Sequence, residues 1–360
     1  MFLGEGMRKK LRLVLSGMTL LAGLAGSATP VVAAPPPPPL VAVILPRDNA
    51  RFQLIHAAFL KSFAPVTTVT GKPRLYVQSP NPDIMSLRNS IRKAAAIGAD
   101  LIVVYGTRAA TAARQEDFTE PLIFADVFEP VAMGLVPSLQ HGGNLITGVC
   151  GYAPVQTLFK FFQETFGTGR LGTLTESRYP SATVQVELLH NMVCRHGDPA
   201  GGADRASPPA VPCRLAAAST DMQVAQGVTQ AIKNLEGKID VFYLSDLLPT
   251  DRQANELLAY ATRAGLPVIS QRYGAADQGA LMTLEADPVE QGEKLAEIAR
   301  RVIDGELPED IPPLIPRRVS LIINLAVARQ LGIDVPFTVL TQTTRVVQTL
   351  PAVVESQPSR

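Results

Sequence analysis

The chain has 360 residues, a formal net charge of +1 and a hydrophobic content of 46%. This near-neutral balance argues against a nucleic-acid-binding surface, which would concentrate arginine and lysine on one face. The length exceeds what one small core needs and suits two lobes.

The first 33 residues have the order of a secretory signal peptide. Basic residues cluster in Arg8–Arg12, an uncharged apolar run follows in Leu13–Ala25, and small residues come next. The run has about 13 residues, whereas a membrane-spanning helix needs roughly 20. We therefore predict cleavage after Ala33 or Ala28 rather than permanent anchoring, and no cysteine at this boundary offers a lipid attachment site.

A proline-rich spacer, residues 34–39, separates this segment from the first predicted strand. It contains five consecutive prolines, which favour an extended chain and cannot enter a helix interior. From Leu40 onward, short apolar runs alternate with amphipathic ones, which is typical of βα units on a parallel sheet. Asp83 and Thr107 are placed to start the second and third helices. The predicted strands of the first half are Val41–Leu45, Arg74–Gln78, Leu101–Tyr105, Leu122–Ala125 and Leu145–Val149, and the helices are Phe52–Phe63, Ile84–Ile97 and Ala109–Gln115.

The same alternation starts again near Leu171 and predicts a second, similar lobe. Asn324 is a candidate cap for a short last helix and Gly332 a candidate end. Residues 337–360 have no periodicity that predicts regular structure. The predicted strands are Leu171–Leu174, Arg214–Ala218, Val241–Leu244, Val268–Ser270, Leu281–Leu284 and Val319–Ile323, and the longer helices are Ala182–Arg195, Met222–Asn234, Arg252–Ala264 and Pro288–Ile303.

Three cysteines occur in the chain. Cys194 and Cys213 bracket a stretch rich in glycine, proline and alanine, so an oxidising compartment would allow a disulfide between them. The alternative is three reduced thiols, including Cys150. The cysteines form no CxxC pair, and the four histidines lack metal-ligand spacing, so we predict no metal site.

One glycine motif has the letters of a nucleotide site. Gly167, Gly169 and Gly172 match GxGxxG, but they follow a predicted helix and lead into a strand, whereas a dinucleotide site has the reverse order. We interpret them as turn glycines. The sequence also lacks a nucleophile elbow and a phosphate loop. We therefore predict no cofactor, no catalytic residues and a binding protein rather than an enzyme.

Polar residues directly after the strands are the best candidates for a binding site, because the crevice of an open parallel sheet lies beyond the carboxyl ends of its strands. Most such residues, taken singly, are helix caps or exposed loop residues. Together they supply hydroxyls and helix N-termini for a carboxylate, carboxylates for an amine, and aromatic rings for a side chain. This inventory predicts an amino-acid-like ligand. The residues are Arg47, Asp48, Asn49, Gly106, Thr107, Asp126, Phe128 and Glu129 in the first half and Glu176, Ser177, Tyr179, Ser181, Ser245, Asp246, Gln271 and Arg272 in the second.

The sequence around these positions resembles the ABC transporter substrate-binding proteins, a family whose characterised members include receptors for aromatic amino acids. The likeness runs from about Leu40 to Pro336. The stretches that carry it are GTRAATAA, PLIFADVFEPVAMGLVPSLQHGGNLITGV, LGTLTESRYPSA, IDVFYLSD, GLPVISQRYGAADQGALMTLEADPVEQGEKLA and LIINLAVARQLGI.

The resemblance implies a type I periplasmic-binding-protein fold, in which two Rossmann-like α/β lobes with parallel sheets are joined by three crossing strands at a hinge. By analogy, lobe 1 takes residues 40–150 and 286–307, lobe 2 takes residues 151–285 and 308–336, and residues 337–360 form a tail. It also implies a periplasmic, monomeric receptor that clasps a small molecule for an ABC permease in the membrane. One alternative is a sensory module that reports to a membrane histidine kinase without transport. A second is an enzyme that uses the same cleft, for which Asp126 and Glu129 are the candidate acid–base pair.

The resemblance places several site residues. Gly106 and Thr107 match the family's glycine–hydroxyl pair. The family's usual Val-Thr-Asp-Pro motif differs here, because Phe128 replaces the threonine and Glu129 replaces the aspartate. Ser181 lies where an asparagine is common. We expect Thr107 and Ser181 at a ligand carboxylate, Glu129 or Asp246 at an amine, and Phe128 or Tyr179 against a side chain. The full predicted ligand-binding set is Asn49, Gly106, Thr107, Phe128, Glu129, Tyr179, Ser181, Asp246 and Gln271.

Overall fold

The structure is a computed structural model that describes residues 36–151, 155–175, 180–194, 215–219, 225–245, 248 and 250–350. Within these residues the chain forms two α/β lobes, each built on its own β-sheet. This confirms the predicted fold class. No helix of the described ranges combines the length and the apolar character needed to cross a membrane.

The first lobe has a five-stranded, all-parallel sheet with the order β2-β1-β3-β4-β5. Its central strand β3 is fully buried along its length, because helices cover both faces and allow a continuous apolar strand. The elements are β1 Leu40–Ile44, α1 Ala50–Phe63, β2 Arg74–Gln78, α2 Ile84–Ala96, β3 Leu101–Tyr105, α3 Thr107–Ala113, β4 Leu122–Val127 and β5 Ile146–Cys150.

The second lobe has a seven-stranded sheet with the order β12-β11-β10-β9-β8-β6-β7 in the described part of the chain. The sequence predicts parallel strands only, but β11 runs antiparallel to β10. From α4 onward the elements along the chain, of which α8 packs on the first lobe, are α4 Val155–Phe166, β6 Leu171–Thr175, α5 Pro180–Cys194, β7 Leu215–Ser219, α6 Ala225–Lys233, β8 Val241–Leu244, α7 Asp251–Arg263, β9 Val268–Ser270, β10 Met282–Ala286, α8 Pro288–Ile303, β11 Val319–Asn324, α9 Leu325–Leu331, α10 Phe337–Leu340 and β12 Arg345–Val347.

Helix α8 belongs to the first lobe although it directly follows a strand of the second sheet. Its residues Leu295, Ile298 and Val302 join the core formed by α1 and one face of the first sheet. The two helices cross closely at Gly292, where a Cβ atom would lie 2.3 Å from the carbonyl oxygen of Ile55. The chain therefore passes between the sheets three times: after β5, before α8 and before β11.

Two predicted helix starts have different outcomes. Asp83 caps α2 as predicted, since its carboxylate accepts a hydrogen bond from the backbone N–H of Ser86 at 2.9 Å. Thr107 does not cap α3. The N-cap is Gly106, whose φ of 86° suits glycine, and the Thr107 hydroxyl instead accepts a hydrogen bond from the backbone N–H of Phe128 at 2.9 Å.

The segment from residue 337 to residue 347, for which the sequence predicts no regular structure, contains α10 and β12. Strand β12 extends the second sheet by pairing in parallel with β11. The Arg345 guanidinium also lies 2.6 Å from the carboxylate of Asp277. Elements of four and three residues are too short to show a hydrophobic period, which explains the difference.

Candidate functional site

A cleft lies between the two lobes, at the carboxyl ends of β4, β8 and β9. Its empty volume is about 500 Å³, including space open to solvent. This is the position expected for a ligand site in an open α/β sheet. The lining residues are Asn49, Arg51, Asp126 and Phe128 from the first lobe, Gly151 from the first crossing, and Gln185, Tyr243, Asp251, Gln271, Arg272 and Tyr273 from the second lobe.

A buried ion pair forms the first-lobe side of the cleft. The Arg51 guanidinium lies 2.9 Å from the carboxylate of Asp126, and both side chains are less than one tenth exposed. Asp126 sits at an irregularity in the pairing of β4 with β5 and has a φ of 57°. Such a bulge redirects a side chain out of the strand's regular alternation. Burial raises the pKa of Asp126, although the charge of Arg51 opposes this effect.

The same ion pair is tied to the first crossing between the lobes. Arg51 Nη2 donates to the carbonyl oxygen of Gly151 at 2.8 Å and to Gln291 Oε1 at 3.2 Å. Gln291, which is fully buried in α8, donates in turn to the carbonyl oxygen of Cys150 at 2.7 Å. The cleft is therefore joined by hydrogen bonds to the first segment that crosses between the lobes.

Asp251 links the two lobes directly at the opposite side of the cleft. Its carboxylate accepts a hydrogen bond from the backbone N–H of Ala50, in the first turn of α1, at 2.6 Å. Its other oxygen lies 2.7 Å from Arg272 Nη2. Its backbone N–H also donates to the carbonyl oxygen of Asp48 at 3.0 Å. An acidic side chain between the N-termini of α1 and α7 is electrostatically favourable, because both termini carry partial positive charge.

Three predicted ligand-binding residues line the cleft: Asn49, Phe128 and Gln271. Asn49 also caps α1 by accepting a hydrogen bond from the backbone N–H of Phe52 at 3.1 Å. Gln271 Oε1 accepts a hydrogen bond from the Tyr243 hydroxyl at 3.2 Å. These contacts fix side chains that face the cleft from both lobes.

Three other predicted residues, Gly106, Thr107 and Glu129, are described by the structure but are not among those that line the cleft. Gly106 and Thr107 support the segment that carries Phe128, and the Thr107 hydroxyl is already engaged by that segment's backbone. Glu129 is half-buried with a φ of 44°, and burial raises its pKa.

The remaining predictions fall on parts of the chain that the structure does not describe. Tyr179, Asp246 and Cys213 lie outside the described residues. Ser181 and Cys194 belong to α5, but their side chains are also outside the described set. The expected roles of Tyr179, Ser181 and Asp246, and the Cys194–Cys213 disulfide, therefore stay predictions.

Sequence reasoning missed six lining residues: Arg51, Gly151, Gln185, Tyr243, Asp251 and Tyr273. Arg51 and Asp251 lie in the first turns of α1 and α7, so a search that continued past each cap into the helix would have found them. Gln185 lies within α5, and no local pattern marks it.

In the described part of the chain, no group of three or more histidine, cysteine, aspartate or glutamate residues could hold a metal ion.

Comparison with known proteins agrees with this fold. A relative described as a tyrosine-binding protein, from Clostridioides difficile (strain R20291), is 26% identical over 230 residues, which are 62% of this chain and 61% of that protein's length. A solved conserved domain protein from Vibrio cholerae has a TM-score of 0.74 at 21% identity and covers 86% of this chain and 99% of that one. The ABC domain in complex with L-Trp from Streptococcus pneumonia has a TM-score of 0.74 at 17% identity, over 86% and 100% of the two chains.

The family comparison covers most of the chain. Residues 53–197 and 214–347 match the family described as ABC transporter substrate binding protein. These ranges include every strand of the two sheets except β1 and every residue that lines the cleft except Asn49 and Arg51. The chain therefore belongs to the ABC transporter substrate-binding protein family.

Proposed function

We propose that this protein is an extracytoplasmic receptor that closes its two lobes on a small, amino-acid-like ligand and delivers it to the membrane permease of an ABC importer. The observation that carries the proposal is the cleft, to which both lobes contribute charged, polar and aromatic side chains. A ligand that touches both walls stabilises the closed arrangement over the open one.

The charges along the cleft favour an electrically neutral ligand. Arg51 pairs with Asp126 on one lobe, and Arg272 pairs with Asp251 on the other. Each wall therefore carries one positive and one negative group, and neither sign predominates. A zwitterion such as an α-amino acid suits this balance better than a phosphate or a polyamine, because an uncompensated charge is costly to bury.

Aromatic rings on both walls favour a ligand with a flat side chain. Phe128 extends from the first lobe, whereas Tyr243 and Tyr273 belong to the second. Aromatic pairs add about 0.5–1.5 kcal/mol beyond the effect of burial. The names of two similar proteins, a tyrosine-binding protein and a domain bound to L-Trp, support aromatic amino acids as the first ligands to test.

The proposal extends to location and organisation. The basic–apolar–small order of the N-terminal segment supports export with cleavage of the segment and without a lipid anchor. Under this proposal the mature protein acts as a monomeric binding protein without catalytic activity or cofactor. The proposed organisation is a signal peptide at 1–33, a spacer at 34–39, lobe 1 at 40–150 and 286–307, lobe 2 at 151–285 and 308–336, and a C-terminal tail at 337–360, of which residues 345–347 pair with the second sheet.

Binding by the purified protein tests the proposal. We expect one or a few amino acids, with aromatic ones first, to raise the melting temperature, while sugars of similar size leave it unchanged. A ligand present at about 100 times its Kd adds about 2.7 kcal/mol to the free energy of unfolding, which is readily measured. A folded protein that binds none of the standard amino acids would contradict the proposal.

Transport requires a separate measurement. Uptake of the identified ligand by cells should fall when the gene is deleted and return when it is restored. Unchanged uptake, combined with tight binding in vitro, would instead favour a receptor that signals to a membrane kinase.

A further inference from the structure

We propose that Gln185 and Arg51 are the residues that contact the two polar ends of the ligand, one from each lobe. Gln185 Oε1 accepts a hydrogen bond from the ligand's ammonium group, and Arg51 Nε donates one to its carboxylate. This assignment rests on the proposed function, since it names the groups of an amino-acid ligand that the cleft recognises.

Both side chains carry a buried polar atom without a partner. Gln185 is 4% exposed and Arg51 is 8% exposed. Neither Gln185 Oε1 nor Arg51 Nε has a hydrogen-bond partner in the described structure. Buried polar atoms are almost always paired, and leaving one unpaired is destabilising. Such atoms at a binding cleft are therefore candidates for groups that a ligand satisfies.

The position of these two atoms at the cleft distinguishes them from a polar atom left unpaired by imperfect packing. Both residues line the same cleft, whereas Thr283, which also carries an unpaired buried atom, does not. Gln185 is also at the lobe interface, because the preceding residue, Val184, packs against the apolar core of the first lobe. A ligand that pairs with both atoms would connect α1 of one lobe to α5 of the other.

The two unpaired atoms have opposite hydrogen-bonding roles. The amide oxygen of Gln185 can only accept, so it needs an N–H or O–H group on the ligand. Arg51 can only donate. Its Nη2 already contacts Asp126, Gly151 and Gln291, whereas its Nε has no partner in the described structure and can donate to an oxygen of the ligand. Arg51 lies in the first turn of α1, where the helix N-terminus further favours an anion. An ammonium and a carboxylate on one small molecule meet both requirements.

Replacement of Gln185 by methionine tests the acceptor, because methionine has a similar length and volume but no amide. We expect Gln185→Met to weaken binding of L-tyrosine or L-tryptophan by about ten-fold or more, since a lost hydrogen bond to a charged group costs at least that much. The urea midpoint of the ligand-free protein should stay the same or rise, because the substitution removes an unpaired buried acceptor. Gln230→Met, an exposed change on α6, is the matched control and should alter neither quantity.

Ligand analogues then separate the two contacts. Gln185→Met should not weaken binding of 3-(4-hydroxyphenyl)propionate, which lacks the ammonium group, by more than about two-fold. Arg51→Lys keeps the positive charge but removes Nε, so it should weaken binding of L-tyrosine and leave binding of tyramine, which lacks the carboxylate, within about two-fold of the wild-type value. Titration calorimetry measures each affinity.

The outcomes distinguish this assignment from the proposed function. If the wild-type protein binds L-tyrosine or L-tryptophan and Gln185→Met binds them equally well, the proposed hydrogen bond from the ligand's ammonium group to Gln185 is wrong. The proposed receptor function is then unaffected. The assignment is also wrong if Gln185→Met lowers the urea midpoint of the ligand-free protein, since the amide would then be paired. If the wild-type protein binds neither amino acid, the proposed aromatic ligand and this assignment are both overturned.

Discussion

Replacement of Glu285 by glutamine should remove a pH-dependent destabilisation of the folded protein. Glu285 lies in β10, next to the crossing into α8, and is 6% exposed. Its carboxylate accepts a hydrogen bond from the backbone N–H of Gly274 at 2.9 Å. Burial is the main influence and raises the pKa of Glu285 from 4.5 to about 7, although the Gly274 N–H and the charge of Arg51 oppose it.

The raised pKa fixes the sign of the effect. The folded protein holds the Glu285 proton more tightly than the unfolded chain does, so this proton contributes stability that is fully present below pH 4.5 and is lost as the pH rises through about 7. The gap between these values corresponds to about 3 kcal/mol, since one pKa unit is worth about 1.4 kcal/mol. Glutamine avoids the loss because it stays neutral, and its amide oxygen can still accept from Gly274.

Urea unfolding at two pH values measures the effect. We expect Glu285→Gln to raise the free energy of unfolding, relative to wild type, by about 2–3 kcal/mol more at pH 8.5 than at pH 5. Glu256→Gln, an exposed change on α7, serves as the control and should show little dependence on pH. A Glu285→Gln effect that is the same at both pH values would show that folding does not raise the pKa of Glu285.

Two further predictions concern the first lobe and its junction with the second. Gly106→Ala would place a Cβ atom 2.5 Å from Phe52 Cζ at a backbone φ of 86°, so it should destabilise the protein by about 2 kcal/mol or more. The control is Gly98→Ala, which has a φ of 70° and open space around the new Cβ and should lower the free energy of unfolding by about 1 kcal/mol. Equal losses of unfolding free energy for the two variants in urea would contradict the tight packing at Gly106. Cys150 is buried and its pKa is raised to about 12, so mass-spectrometric mapping should find it modified by a thiol reagent only as the protein unfolds. Rapid modification of the folded protein would contradict this.

Much of the fold follows from local sequence patterns. Strand Leu101–Tyr105 has its predicted bounds because a strand buried on both faces is a continuous apolar run. Helix Pro288–Ile303 also has its predicted bounds, since a proline marks its first turn and Gly305 follows its end. The antiparallel direction of β11 was not predicted. It depends on where the chain re-enters the second lobe, and the local pattern of apolar residues carries no information about that.

The site was predictable in position but only partly in its residues. Strand-end reasoning identifies the correct edge of the sheets, and Asn49, Phe128 and Gln271 do line the cleft. Thr107 is not among the lining residues, and its hydroxyl accepts a hydrogen bond from a backbone N–H, so its role at a ligand carboxylate stays a prediction. Strand-end reasoning passes over Gln185, which reaches the cleft from within a helix, because the direction of a helical side chain depends on how the helix packs.

The position of α8 also constrains how the protein can be synthesised and folded. The core of the first lobe is completed by residues of α8 that follow nearly the whole second lobe along the chain. A growing chain that ends at Ala286 therefore lacks the helix that completes the core formed by the first sheet, including Val43, and by α1, including Phe59. An N-terminal fragment or a ribosome-bound intermediate of that length cannot bury this surface, so the first lobe completes its core only after α8 has been synthesised.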